Sequence, residues 1–468
     1  MKVLTAAAAS ARFFRCAVIF GLVTTTLIAL HFSSSGQVSA GQVPENGLTA
    51  HEWGTFTSIS DSEGRAIHWL PLSGPTDLPS FVEHLSNVNF KGGLLGTIRM
   101  ETPVIYFYSP RETTVSVRAT FSKGLITEWF PHASVPALDP RKDITLFSKI
   151  TDGRITWNSV HVVPTGATDF PADASENHYY AARQTSCAPL AIDTPSGAQH
   201  KRFLFYRGVT ALGPPLTASV ANDGTILLQN AVPSDAVPLP GASAPVSCSE
   251  NATPQPQPTK ASFARGSELR LLKTPKASGD GIKHVKDSRA SDEIPGLILF
   301  ERRGSRLGYH ILDALTDQAS YSPPVLDGSL GSLFSSLEGI LIAQGLFPDE
   351  AHAMLETWKD SWFEEGSRIL YIVPRAFVDS VLPLTVTPAP AQLTRVFVGR
   401  VELVTSVTQQ AVESAFASQD RTTLARYSRF LEPILSAMIQ SSTDRARQRR
   451  LAKYLDSAYI TYYSQPHN

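Results

Sequence analysis

The sequence predicts an α+β fold, with an N-terminal β-sandwich-like domain followed by a helix-rich C-terminal domain. Three observations lead there. Short runs of β-branched and aromatic residues, separated by turn residues, recur between residues 48 and 312. After residue 325 the apolar period changes from 2 to 3.6. The 33 Pro and 30 Gly among 468 residues break the chain into many short elements, which suits sheets better than a helical bundle.

Composition narrows the function classes. Charged residues are 18% of the chain, below the roughly 25% of an average soluble protein. A formal net charge of −1 offers no basic field for a nucleic-acid backbone, so no nucleic-acid partner is expected. Residues 1–15 carry Lys2, Arg12, Arg15 and no acid, and an apolar run follows from Cys16 to Phe32. Val38-Ser39-Ala40 then fits the small-residue cleavage rule, which makes residues 1–40 a secretory signal and Gly41 the first mature residue. The alternative is an uncleaved anchor at residues 16–32, which would be the chain's membrane contact. Its 17 residues, diluted by three Thr, fall short of the ~20 that span a bilayer comfortably. The expected location is therefore periplasmic or extracellular, with membrane anchoring as the alternative. Export leaves Cys187 and Cys248 in a compartment that permits disulfides, and a bridge or two separate thiols are both open. Without a CxxC pair they make no Cys-based zinc site.

Residues 41–325 read as the β-rich domain. Its strand candidates are LTAHEWGTFTSIS (48–60), TIRMETPVIYFYS (97–109), TTVSVRATF (113–121), LITEWF (125–130), RITWNSVHVV (154–163), HYYAAR (178–183), KRFLFYRGV (201–209) and GTILLQNA (224–231). A short helix is expected around SFVEHL (80–85), and Ser122-Lys123-Gly124 reads as a hairpin turn. Residues 232–294 turn to Pro, Ala and Ser and lose their aromatics, the composition of a disordered insertion. Strand chemistry returns in GLILFERRGSRLGYHIL (296–312), whose central RGS predicts a hairpin. Residues 326–468 form the helix-rich part. Helices are expected at 330–345 and from Pro348 to Gly366, with Pro and acids at the start of the second. Strands at 368–373 and 394–404 flank a short helix at 375–382, and helical segments at 406–418, 420–440 and 443–460 complete the chain.

The segments AHEWGTFTS (50–58), RMETPVIYFYS (99–109), GLITEW (124–129), HYYAAR (178–183), FLFYRG (203–208), LFERRG (299–304), TWKDSWFEEGSRILYIVPR (357–375) and RVFVGRVEL (395–403) together resemble a family of exported bacterial proteins to which no activity is assigned. The resemblance implies one multi-part unit with an export signal, to which residues 232–294 are an addition. It implies no reaction.

Common catalytic templates are missing: no Walker A loop, no GxGxxG after a strand, no HExxH, no EF-hand run and no GxSxG elbow. His51-Glu52 begins like HExxH but continues Trp53-Gly54-Thr55. In the 348–365 helix, His352, Glu356, Asp360 and Glu364 form a column opposite Ala351, Met354, Leu355, Trp358 and Trp362, which is how a solvated face looks. The basic run from Arg445 to Lys453 reads the same way.

Charges inside apolar strands say more. Strict alternation places Arg99 and Glu101 on one face with Pro103, Ile105 and Phe107, Glu128 with Ile126 and Phe130, and Glu52 with Ala50 and Phe56. A charge on an apolar face costs several kcal/mol unless paired. Arg183, Arg207 and Arg302 are the expected partners, in either a structural ion-pair network or a polar pocket. His51, His132, His161 and His178 lie in or beside β segments and would suit a scattered metal site with Glu52 or Glu128, but none shows ligand spacing, so no metal ligand is assigned. Trp53, Trp69, Trp129 and Trp157, with Tyr106, Tyr108, Tyr179 and Tyr180, would stack on sugars if exposed.

These readings converge on an exported binding or scaffold protein, with a carbohydrate or protein partner outside the cytoplasm. The alternative is an exported hydrolase using a carboxylate–histidine cluster, with or without a metal. The candidate ligand-binding residues are His51, Glu52, Trp53, Arg99, Glu101, Glu128 and Trp129. The sequence names no catalytic residue and no cofactor.

Overall fold

At the centre lies a strand buried at every position, β1 (Thr49–Ser60). The computed structural model describes residues 47–61, 63–69, 78–85, 96–136, 152–174, 177–194, 197–232 and 293–464. The apolar run 16–32, the cleavage site, Cys248 and insertion residues 233–292 lie outside the described residues. In chain order follow β2 (Glu83–His84), β3 (Ile98–Tyr108), β4 (Thr113–Phe121), β5 (Gly124–Phe130), β6 (Gly153–Val162), a 3-10 helix (His178–Arg183), β7 (Leu190–Thr194), β8 (Gly197–Lys201), β9 (Leu204–Thr210), β10 (Leu216–Val220) and β11 (Ile226–Asn230). Next come β12 (Ile298–Arg303), β13 (Arg306–Ile311), β14 (Gln318–Tyr321), α1 (Leu330–Ala343), α2 (Pro348–Trp362), β15 (Gly366–Ile372), α3 (Arg375–Val381), β16 (Leu384–Thr387) and β17 (Gln392–Leu403). Helices α4 (Ser406–Ser418), α5 (Arg421–Arg426), α6 (Ser428–Ser441) and α7 (Arg445–Ser464) end the chain. Strand exceeds helix, 39% against 28%, and the helices gather in the C-terminal part, so the fold is the mixed, sheet-rich one expected.

Nine strands make the main sheet, in the order β13-β12-β15-β17-β1-β3-β9-β5-β2. It draws strands from both sides of residue 325. β1 runs parallel to β17 and antiparallel to β3. One face packs on a second sheet, β16-β4-β6-β7-β8, through Ala50, Phe56, Ile105 and Phe107 on one side and Val117, Phe121, Ile155 and Trp157 on the other. That is sandwich packing, with the two inner faces interdigitating. The opposite face is covered by α1 and α2, whose Leu337, Leu341, Met354, Trp358 and Trp362 join Trp53, Tyr106, Val396 and Val398. Helices α4–α7 bury a third cluster of their own around Leu435. A small sheet, β10-β11-β14, pairs a strand before the insertion with one after it.

The expected β12–β13 hairpin forms, with Gly304 at φ +61 in its turn. Three local expectations give way to tertiary context. HYYAAR is a 3-10 helix, started by the Asn177 side chain accepting from Tyr179 N–H, and its buried residues Tyr179 and Ala182 are three apart as that helix requires. Residues 80–85 are not helical, because Glu83 and His84 add an edge strand to β5. Ser122-Lys123 does not close a hairpin. β4 pairs with β6 and β16 while β5 pairs with β9, so the turn carries the chain from one sheet to the other.

Candidate functional site

β1 sends alternate side chains to the two layers, which separates the candidate residues. Glu52 faces the second sheet and is wholly buried; its Oε2 takes the Arg395 Nε–H at 2.5 Å and its Oε1 the Tyr206 hydroxyl. Arg395 also donates to Asp379 Oδ1 and to the Leu382 carbonyl, each at 2.7 Å. The guanidinium therefore spends its donors on three acceptors, as a buried charge must. Burial and the Glu52 carboxylate hold the Tyr206 hydroxyl well above its ordinary pKa, so it remains a donor.

His51 faces the helices. Its Nδ1 lies 2.8 Å from Glu350 Oε2, with both side chains fully buried. Glu350 stands in the first turn of α2, where its carboxylate also accepts the Phe347 N–H at 2.8 Å and the Tyr108 hydroxyl at 2.9 Å. An acid there meets the positive end of the helix. The Phe347 ring packs 4.5 Å from the imidazole, Tyr108 closes the other side, and Trp53 is buried against Tyr106. This cluster fastens α2 to β1 and β3, and nothing in it reaches solvent.

Arg99, Glu101 and Glu128 turn out to lie on the helix-covered face, for a reason alternation misses. β3 carries one extra residue between Met100 and Val104 against both of its neighbours. Ile98, Met100, Ile105 and Phe107 consequently face the second sheet, while Arg99 and Glu101 face away from Ile105 and Phe107. A similar irregularity in β5 between Ile126 and Glu128 puts Ile126 and Trp129 toward the second sheet and Phe130 on the other side. Glu128 thus shares its face with Phe130 but not with Ile126. Each bulge inverts the side-chain phase downstream.

The result is a file of polar side chains across adjacent strands at one end of that face. It begins in the interior with Arg368, Glu402 and Arg400, all wholly buried. Arg368 Nε sits 3.1 Å from Glu402 Oε2, Arg400 donates to the other Glu402 oxygen, and Arg400 reaches Glu364 Oε1 at 2.7 Å and Ser361 Oγ at 2.8 Å. Thr57, in register with Arg400, donates to Glu101 Oε2 at 2.6 Å. Beyond it come Arg99, with its guanidinium 5.7 Å from the Trp69 ring, then Arg207 opposite Glu128, then His84 opposite Glu128 on the edge strand. Arg99, Glu101, Arg207, Glu128 and His84 are all half-buried. The file is sealed at one end and open at the other.

The remaining candidates separate. Trp129 donates its Nε1–H to Glu83 Oε2 at 2.8 Å on the opposite face, where His132 Nδ1 also lies 3.0 Å from Glu83. His161 contacts Thr114 and Asp193, and His178 packs near Trp358. Among the described residues no three His, Cys, Asp or Glu side chains gather as metal ligands. Trp53, Trp69, Trp129 and Trp157 are all buried and offer no ring to a sugar. Of the expected charge partners, Arg207 stands beside Glu128, Arg302 is held by the Gly304 and Phe363 carbonyls, and Arg183 sits among aromatic rings. Cys187 is buried and has no disulfide partner among the described residues, which exclude Cys248; burial pushes its thiol up to about 12.

Sequence reasoning missed Arg395, Arg400, Glu402 and Arg368. The signal was present in RVFVGRVEL and RILYI, whose charges interrupt apolar strands as Arg99 and Glu101 do. No protein-family model and no curated protein matches the chain.

Proposed function

We propose that this chain is an exported binding protein that takes a polar ligand of mixed charge at the open end of the file. One observation carries the reading: Arg99, Glu101, Arg207 and Glu128 lie half-exposed on one face, the β3 and β5 residues re-aimed by bulges, whereas Arg368, Glu402 and Arg400 of the same file are wholly buried. Bulges that re-aim side chains are a recurrent feature of binding sites. Four groups of alternating sign suit a zwitterion, such as an amino acid or short peptide, better than a neutral sugar. Export rests on the basic start, the apolar run at 16–32 and the Val38-Ser39-Ala40 site, and it agrees with the resemblance to exported bacterial proteins.

Thermal shift of the purified protein against amino acids, dipeptides and neutral sugars tests the ligand class. A zwitterion should raise the melting temperature in the wild type and lose that effect in Arg207→Met and Glu101→Gln. A hit that survives both changes sinks the assignment of the site. The hydrolase reading draws on one observation, His84 in register with Glu128, a histidine–carboxylate pair at the sheet edge. Cleavage of an activated ester that disappears in His84→Ala would favour it.

A further inference from the structure

A second group of basic residues lies at the edge of the helix-covered face, and the binding reading above does not use it. Lys201 ends β8 with its side chain wholly buried. Its Nζ stands 4.1 Å from the centre of the Phe81 ring, 4.3 Å from Phe130 and 5.1 Å from Tyr179. It has no hydrogen-bond acceptor among the described residues. The Arg183 guanidinium shares two of those rings, lying 5.8 Å from both Phe81 and Tyr179, and is 4.5 Å from Tyr180. On its far side Arg183 shares the Phe170 ring with Arg202, at 5.7 Å and 5.3 Å.

Three basic side chains are thus chained through shared aromatic rings. Among the described residues Arg183 donates to the Pro171 carbonyl and Arg202 to the Cys187 carbonyl, and the Nε of each is buried without an acceptor there. No carboxylate pairs with any of the three among the described residues, and the one charge bearing on Lys201 is that of Arg183, of like sign. The wholly buried guanidinium of Arg400 and that of Arg395 by contrast each meet three acceptors. Burial and the Arg183 charge together push the Lys201 amine down to about 5, so it sits neutral and unpartnered inside its rings. Arg183, Arg202, Phe81 and Phe170 are half-buried, so solvent reaches the cluster from their side.

We propose that Lys201, Arg183 and Arg202 form a binding site for a small oxyanion, a group with two or more acceptor oxygens such as a carboxylate, sulfate or phosphate. The anion brings acceptor oxygens to donors, Lys201 Nζ and the Arg183 and Arg202 Nε, that have none among the described residues. Charge-assisted contacts of this kind are the strong ones. The burial that holds the Lys201 amine neutral by itself gives way when a negative charge arrives, so the anion binds together with a proton.

The test titrates phosphate, sulfate and acetate separately into the purified protein, against chloride at matched ionic strength, and reads the melting temperature. Wild type is expected to show a saturating rise with at least one oxyanion and none with chloride. Lys201→Met, which places an apolar chain in an apolar cage, should fold at least as well and lose the rise. Arg202→Gln gives a second, gentler variant in which the half-saturation point moves to at least tenfold higher anion. Non-saturating shifts of equal size in wild type and both variants would mean a general salt effect and overturn the site. So would a flat response to all three anions.

Discussion

Glu52 and Arg395 form a fully buried ion pair across the parallel junction of β1 and β17, between residues 343 positions apart in sequence. Glu52→Gln leaves Arg395 with only the half-exposed Asp379 as counter-charge. The expected cost is about 3–5 kcal/mol, read from urea denaturation, because an uncompensated buried charge is dearer than a missing contact. The double change Glu52→Leu, Arg395→Met should recover most of that loss. A double variant no better than Glu52→Gln would show that the pair does more than neutralise itself.

Glu350 holds His51, Tyr108 and the Phe347 N–H with one carboxylate. Glu350→Ala should cost about 2–4 kcal/mol, since it strands several buried donors together. Hydrogen exchange should locate the damage at the first turn of α2. Global loosening with that turn still protected would contradict the fastening role.

Charge removal should hurt far more at the sealed end of the file than at the open end. Glu402→Gln breaks contacts to both Arg368 and Arg400 and is expected to cost about 3–5 kcal/mol. Glu101→Gln, half-exposed beside Thr57, should cost no more than about 1 kcal/mol. Equal costs in equilibrium denaturation would place both carboxylates in one structural network and remove the case for a ligand.

Lys201 makes stability depend on pH in a definite direction. Burial first, and Arg183 second, push its amine down to about 5. Unfolded lysine titrates near 10, so between about pH 5 and 10 the unfolded chain carries a proton that the folded chain lacks. Stability should therefore rise with pH across that window, by at most about 1.4 kcal/mol per unit from this group. Denaturation from pH 6 to 9 in chloride buffer checks it, and Lys201→Met should flatten the slope. Identical slopes would mean that the amine stays charged within its rings.

A protease site introduced between residues 233 and 292 should yield two fragments that co-elute without denaturant. β11, before the cut, pairs with β14 after it, and β12 and β15 lie in the same sheet as β1 and β3. Separation of the fragments on a sizing column would show that these pairings cannot hold alone.

The sequence made most element types legible, because long apolar runs such as TIRMETPVIYFYS and the 348–362 helix carry their period openly. Side-chain direction was legible only as far as the first bulge. Ala50, Glu52 and Phe56 do share a face, since β1 keeps its phase, whereas Arg99 and Glu128 change face because β3 and β5 each depart from regular pairing. An extra residue leaves no mark in a composition that is apolar on both sides. The partners of Glu52 and His51 lie some 300 positions away, beyond any spacing rule, although the charges in RVFVGRVEL invited the same argument as Arg99. HYYAAR has strand-forming residues and becomes helical because Asn177 caps it.

The place of β1 also bears on how the chain reaches its final state. Its neighbour β17 is made more than 300 residues after it, so the middle of the main sheet cannot close until most of the strands have been made. A pairing between such distant segments makes folding slow, because a long loop must close before the contact stabilises anything. Until then β1 presents an open apolar edge to whatever is nearby. For the exported chain proposed above, that delay is an advantage: the β17 side of β1 stays unpaired, and β1 translocatable, until β17 arrives.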